Sequence, residues 1–353
     1  MPLPRIGDPT PFWTGVTDGN PRFAFSSVAG RWVLLGLIGS ASAPGMEAAL
    51  APLRQPVAAL DGVRAAAFLL SVDPEDRAGQ RLPQALPGLR AVWDEGGAIC
   101  GSLGAIEDGR FQPGWLLLDP MLRVVGIFPI GETATVLAQL ASLVPPDRHA
   151  GVEVPAPVLI LPRVFEPGLC EALIATYEAS GGEISGFMRE VDGRTISALD
   201  PGHKVRRDVL IEDAGLKAAV QSRIQRRLVP EIAKCFQFTA TRLERYLVAC
   251  YDAEEGGHFA AHRDNTTKGT AHRRFALTIN LNAEAYEGGD LCFPEFGSRV
   301  YRAPTGGAVV FSCSLLHRAM PVTRGRRYAF LPFLYDEAGA KIREENLKYV
   351  DAG

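Results

Sequence analysis

Three side chains in the second half of this 353-residue sequence have the types and spacing to hold a metal ion. In His262-Arg263-Asp264 the histidine and the carboxylate stand two residues apart. In an extended strand such positions project to one face, so an imidazole nitrogen and a carboxylate oxygen can reach one point. Two donors do not make a site, and a third is offered by a distant segment, His317 in Ser314-Leu315-Leu316-His317-Arg318-Ala319. Two histidines and one carboxylate on a single face of an octahedral ion leave positions open for a co-substrate and dioxygen, an arrangement that suits ferrous iron. Ten residues beyond His317 lies Arg327. A dicarboxylate that chelates the ion at one end needs a fixed cation at the other, and a guanidinium holds a carboxylate through two parallel hydrogen bonds. Arg326 is the rival for that role, because alternation along a strand sends neighbours to opposite faces and only the ten-residue offset favours Arg327.

Such residues need a scaffold that brings distant segments together. From residue 243 onward, short apolar or alternating segments at 243–251, 274–281, 291–294, 308–312 and 328–335 are separated by Gly, Pro and Asn, the texture of an antiparallel sandwich or barrel. Ahead of them the spacing predicts a helix over 167–179 and another over 214–236, interrupted at Pro230. The first part of the chain reads differently. Apolar strands at 31–39, 65–72, 114–119 and 122–128, then a helix over 133–143, make an α/β pattern. Pro145-Pro146 and Val154-Pro155-Ala156-Pro157 stop helix and sheet alike, which predicts a first domain over 1–148, a linker over 149–158 and a second domain over 159–353.

Composition narrows the partners. The 37 Lys+Arg nearly balance the 40 Asp+Glu, so the bulk charge provides no field for a nucleic-acid backbone and none is expected as a partner. With 47% hydrophobic and 22% charged residues the chain is globular rather than disordered. No apolar run approaches the roughly 20 residues a membrane span requires, and Met1 to Asp8 lacks an apolar segment behind a basic start, so neither membrane insertion nor a secretion signal is read and a cytoplasmic location is expected. Six cysteines scattered without a Cys-x-x-Cys pair point to reduced thiols, with Cys250, Cys292 and Cys313 as small buried hydrophobes.

Residues from about 160 to 345 resemble the 2-oxoglutarate and ferrous-iron dependent dioxygenases of the prolyl-hydroxylase branch. The matching text is Val248-Ala249-Cys250-Tyr251, His262-x-Asp264-Asn265, Leu281-Asn282, Gly288-Gly289-Asp290-Leu291, Phe293-Pro294, Pro304-x-Gly306-Gly307-Ala308, His317 with Pro321-Val322, and Gly325 followed by Arg327. The resemblance implies a double-stranded β-helix, or jelly roll, with flanking helices. It implies Fe(II) on His262, Asp264 and His317, the far carboxylate of 2-oxoglutarate on Arg327, and Tyr251 lining the co-substrate pocket. Asn280 stands where some prolyl hydroxylases carry a co-substrate tyrosine, and by that position it is expected among the co-substrate-binding residues. Fe(II), 2-oxoglutarate and O2 are the implied cofactor and co-substrates, with ascorbate as an accessory.

The implied activity is hydroxylation of an unactivated carbon, with release of succinate and CO2, on a prolyl residue of a protein or peptide. A free amino acid or small metabolite as acceptor, and a non-catalytic adaptor or binding module, are the alternatives. Nucleobase demethylation fits less well, because that relative carries a second arginine six residues after the first, and here the position is Phe333. His258 and His272 read as solvated or supporting residues, and Arg206-Arg207 as a solvated face, with contact to an acidic or peptide substrate as the functional alternative.

The first domain resembles the peroxiredoxins of the thioredoxin fold through Gly30-Arg31-Trp32-Val33-Leu34-Leu35, Ser71-Val72-Asp73 and Leu116-Leu117-Leu118-Asp119-Pro120. Those enzymes place a reactive cysteine just after the first core strand, where a helix N-terminus lowers its pKa. Here that stretch is Ser40-Ala41-Ser42-Ala43-Pro44-Gly45, without a thiol, and Cys100 lies out of position. Peroxidase activity is therefore expected to be absent, and the domain reads as a scaffold, a docking module or the surface of a homodimer.

Overall fold

The computed structural model describes residues 3–350; Met1 and Pro2, part of the opening segment in which no secretion signal is read, lie outside them. The chain forms two units, Met1–Pro155 with Pro294–Ser298, and Ala156–Phe293 with Arg299–Gly353. The division falls inside the Pro-rich stretch. It departs from a single contiguous second domain in one respect, the grouping of Pro294–Ser298 with the first unit.

In the first unit, Trp32–Gly39 and Ala65–Ser71 are buried along their whole lengths, which is why they read as unbroken apolar runs rather than alternating ones. They form a parallel pair, extended by parallel Leu89–Trp93 on one side and by the antiparallel strands Gly114–Leu118 and Val124–Pro129 on the other. Thr14–Thr17 and Asn20–Ala24 complete a seven-stranded mixed sheet. Leu89–Trp93 adds to the expected strands, its pattern broken in the sequence by Arg90. The Thr133–Ser142 helix buries Val136 and Leu140 in a core with Trp32, Leu34, Leu69 and Trp115. Carboxylates tie down the Ser40–Gly45 turn. The Ser40 hydroxyl donates to Asp73 Oδ2 at 2.6 Å, and the Ala41 N–H donates to Asp76 Oδ2 at 2.8 Å. Cys100 is buried on the short Ala98–Ser102 helix, where burial, followed by the Asp94 charge, pushes its thiol pKa up.

The second unit is built on two antiparallel sheets. The larger runs in the order Leu159–Leu161, Ala308–Ser312, Phe275–Asn280, Arg326–Phe330, Leu247–Asp252, Arg207–Leu210, Glu183–Ile184, with Arg242–Glu244 and Phe333–Tyr335 paired beside it. The smaller has the order Lys204–Val205, His258–His262, His317–Ala319, Leu291–Cys292, Val300–Tyr301. Period-two alternation sorts the larger sheet. Val248, Cys250, Ile279, Tyr328 and Phe330 pack with Leu173 and Tyr177 of the Pro167–Glu178 helix and with Val220, Ile224 and Ile232. Tyr251, Thr278 and Arg327 face a cavity instead. The long second helix is continuous but changes pitch, with a π-helical turn over Ile224–Leu228 between Ala214–Arg223 and Val229–Phe236. A wider turn just ahead of Pro230 accommodates a residue that has no N–H to donate. Among the described residues no helix is long and apolar enough to cross a membrane.

Candidate functional site

The two sheets of the second unit place His262, Asp264 and His317 together. His262 ends its strand and is the register partner of His317 on the neighbouring antiparallel strand, with ring centroids 4.3 Å apart. Asp264 lies two residues beyond the strand end, where its N–H donates to the Cys313 carbonyl at 3.0 Å and brings the carboxylate back over the histidines. Asp264 Oδ1 is 3.5 Å from His262 Nε2, and Oδ2 is 3.3 Å from His317 Nε2. One donor atom from each residue lies within 4.8 Å of the other two.

Local hydrogen bonds aim these donors. Each ring's Nδ1–H donates to the carbonyl two residues earlier, His262 to Ala260 at 2.8 Å and His317 to Leu315 at 3.0 Å, leaving both Nε2 lone pairs to face Asp264. Burial drives the His317 pKa down to about 4, against the pull of Asp264. Burial raises the Asp264 carboxyl, but His317 and His262 outweigh it and hold the group below the ordinary carboxylate range. His317 as a neutral imidazole and Asp264 as a carboxylate are in the protonation states that can donate to a metal, and His262 turns its Nε2 to the same point.

The triad lines a cavity with Tyr251 and Arg327 of the larger sheet and the apolar side chains Phe259, Leu291 and Phe311. Tyr251 and Arg327 are register partners, and the guanidinium carbon sits 5.0 Å from the tyrosine ring centroid. Arg327 is 2% exposed, and its Nε and Nη1 are buried without a hydrogen-bond partner. Burying a guanidinium in this way is costly unless an acid meets it. Its stem runs past Gly289, at φ +69°, where an added Cβ would lie 3.0 Å from Arg327 Cδ and 2.9 Å from Val322 Cγ2. That contact gives the Gly288-Gly289 pair a physical reason.

Arg326 is half-exposed on the other face and donates to Asp252 Oδ2 at 2.7 Å. Asn280, expected at the co-substrate, lies outside the cavity lining instead, its Nδ2 donating to the Ala303 carbonyl at 2.7 Å. His258 is tied to the Gly256 carbonyl and His272 to Glu244, so neither joins the triad. One expectation is corrected. Arg206 is not part of a solvated face: it is 5% exposed and lines the cavity, whereas Arg207 turns outward to Glu255. Alternation along adjacent positions separates them. Sequence reading also missed Arg245 and Phe333, which line the same cavity. The only signal for Arg245 is a cation set in the middle of an apolar segment, and the structure shows why it is there: at φ +67° it breaks that segment into Arg242–Glu244 and Leu247–Asp252.

Residues 246–335 match the family described as the 2OG-Fe(II) oxygenase superfamily. A PKHD-type hydroxylase of Paraburkholderia xenovorans is 30% identical over 158 residues, covering 42% of this chain and 67% of that protein. A PKHD-type hydroxylase of a Synechococcus strain is 36% identical over 89 residues, 24% of this chain and 39% of that protein, so the chain spans well under half the length of that curated relative. Among solved structures, a prolyl hydroxylase from Trichoplax adhaerens, in complex with a hypoxia inducible factor oxygen degradation domain peptide fragment, aligns over 60% of this chain and 96% of its own. Its sequence identity is 15% and the TM-score 0.42.

Proposed function

Because the chain belongs to the 2OG-Fe(II) oxygenase superfamily, we propose that its second unit is a 2-oxoglutarate-dependent hydroxylase in which His262, Asp264 and His317 hold Fe(II) and Arg327 takes the far carboxylate of 2-oxoglutarate. The observation that carries this reading is the pairing, in one cavity, of a three-donor cluster with a buried arginine whose Nε and Nη1 have no partner. Two nitrogens and one oxygen from one side suit ferrous iron, and the orphaned guanidinium suits a carboxylate, so the residues fit both groups. The facing antiparallel sheets support a double-stranded β-helix, and the parallel pair followed by an antiparallel hairpin supports a thioredoxin-like first unit that acts as scaffold or docking surface.

Iron with dioxygen and 2-oxoglutarate supplies the oxidising power that breaks a C–H bond, with succinate and CO2 as co-products. The chain's work is placement. The Ala260 and Leu315 carbonyls fix the two imidazoles, Asp264 stays ionised between them, Arg327 fixes one end of the dicarboxylate, and Phe259, Leu291 and Phe311 keep water from the reacting carbon. A prolyl residue of a protein or peptide is the acceptor this reading favours.

The test is iron content and succinate formation by the full chain supplied with Fe(II), 2-oxoglutarate and proline-containing peptides. We expect iron binding and succinate, both lost in Asp264→Ala with the circular dichroism spectrum unchanged. Undiminished turnover in that variant overturns the ligand assignment, and iron binding with no succinate from any acceptor favours a binding module.

A further inference from the structure

Arg327 is one of three arginines lining the cavity, and the other two have no role in the chemistry above. Arg206 and Arg327 share one aromatic ring. The Arg206 guanidinium carbon lies 5.7 Å and that of Arg327 5.0 Å from the Tyr251 centroid, and Arg206 Nη1–H donates to the Tyr251 hydroxyl at 3.3 Å. Arg245 lies over Phe333, 5.4 Å from its centroid.

Arg206 and Arg245 share one carboxylate, Asp208, whose Oδ2 is engaged and whose Oδ1 is buried without a partner; the other acid acting on Arg245 is Asp264 of the triad. Asp208 Oδ2 accepts from Arg206 Nη2 at 2.6 Å and from the Ser185 hydroxyl, leaving Arg245 Nη2 3.6 Å away, beyond hydrogen-bond distance. Arg206 Nε is buried without a partner. The Arg245 side chain is 30% exposed, and burial of the rest, followed by the Arg206 and Arg273 charges, lowers its guanidinium, with Asp208 and Asp264 opposing the shift. Glu244 offers no relief, being paired with Arg273 at 2.6 Å.

The charge of the proposed co-substrate complex does not absorb this excess. A divalent ion and Arg327 are balanced by Asp264 and the two carboxylates of 2-oxoglutarate, so Arg206 and Arg245 remain one negative charge short.

We propose that Arg206 and Arg245 form a second carboxylate site in the cavity, and that the acceptor is a proline-ring compound bearing a carboxylate, held there while its target carbon faces the triad. This rests on the hydroxylase reading above. The carboxylate has two sources, a free amino acid or an acidic residue beside the prolyl residue in a peptide.

The test is calorimetric titration of the full chain loaded with Mn(II) and 2-oxoglutarate, which reads binding without turnover. Two matched pairs are compared: L-proline with L-prolinamide, and N-acetylated, C-amidated Pro-Asp with its Pro-Asn counterpart. The acid of at least one pair is expected to bind ten-fold or more tighter than its neutral partner. That advantage should disappear in Arg245→Gln and return in part in Arg245→Lys. An advantage for L-proline alone identifies a small-molecule acceptor, and one for Pro-Asp alone an acidic peptide. Equal binding within both pairs, no binding by any probe, or an advantage that survives Arg245→Gln overturns the proposal. It also falls if Arg245→Gln weakens 2-oxoglutarate binding as much as Arg327→Gln does. Those outcomes leave the hydroxylase reading intact, whereas failure of the wild-type chain to bind Mn(II) or 2-oxoglutarate brings down both.

Discussion

Tyr251 and Arg327 stand opposite each other on neighbouring antiparallel strands, the guanidinium carbon 5.0 Å from the ring centroid. This register decides which of two adjacent arginines enters the cavity, because a pairing shifted by one residue would turn Arg326 inward.

Replacing Arg327 by Gln is expected to weaken 2-oxoglutarate binding by about 30-fold or more, since truncating one partner of a buried charge pair costs roughly 2–5 kcal/mol. Arg326→Gln removes surface pairs with Asp252 and Glu178 and should change that affinity by less than about two-fold. Titration of 2-oxoglutarate into the metal-loaded variants checks both; the reverse order of effects would exchange the two arginines.

Gly289→Ala should act on stability and co-substrate together. The positive φ costs the new side chain about 1–3 kcal/mol, and its Cβ would press on Arg327 Cδ and Val322. Gly256, at φ +75° with nothing within 4 Å, is the control: its alanine variant bears strain alone. Thermal unfolding and 2-oxoglutarate titration of the pair should show both variants destabilised and only Gly289→Ala weakened toward 2-oxoglutarate.

Lys204 makes folding stability depend on pH. Burial, followed by the Arg206 charge, pushes its amine down to about 6, while its Nζ donates to the Ser185 hydroxyl and the Gly186 carbonyl. Unfolded lysine titrates near 10.4, so between those values the unfolded chain holds a proton that the folded chain has released. Stability from this group therefore rises with pH across that window, by up to about 1.4 kcal/mol per unit, and is flat below it. Urea unfolding at pH 7, 8 and 9 should show a smaller rise in Lys204→Met than in the wild type; equal slopes would mean that the amine stays charged in the folded state.

The first unit should not reduce hydrogen peroxide through a cysteine. Cys100 is buried, its thiol pKa is raised, and the turn after Trp32–Gly39 carries carboxylate contacts in place of a thiol. Peroxide consumption with a thiol reductant is expected at background, unchanged by Cys100→Ser; turnover abolished by that substitution would contradict this.

Residue types and short-range spacing single out the candidates His262, Asp264, His317 and Arg327. The apolar runs of Trp32–Gly39 and Ala65–Ser71 advertise burial on both faces, but strand periodicity does not account for His262 and Asp264: the strand ends at His262, and the bond from the Asp264 N–H to the Cys313 carbonyl brings its carboxylate back. What spacing cannot encode is which distant segment lies beside which. The pairing of His262 with His317, the choice of Arg327 over Arg326, and the meeting of Arg206 with Arg245 around Asp208 depend on strand register and sheet order, which are settled by burying one face of every strand at once. For that reason Arg206 reads as a surface charge in the sequence and lies buried at the cavity in the fold, its charge tolerated only because Asp208 and Tyr251 come to meet it.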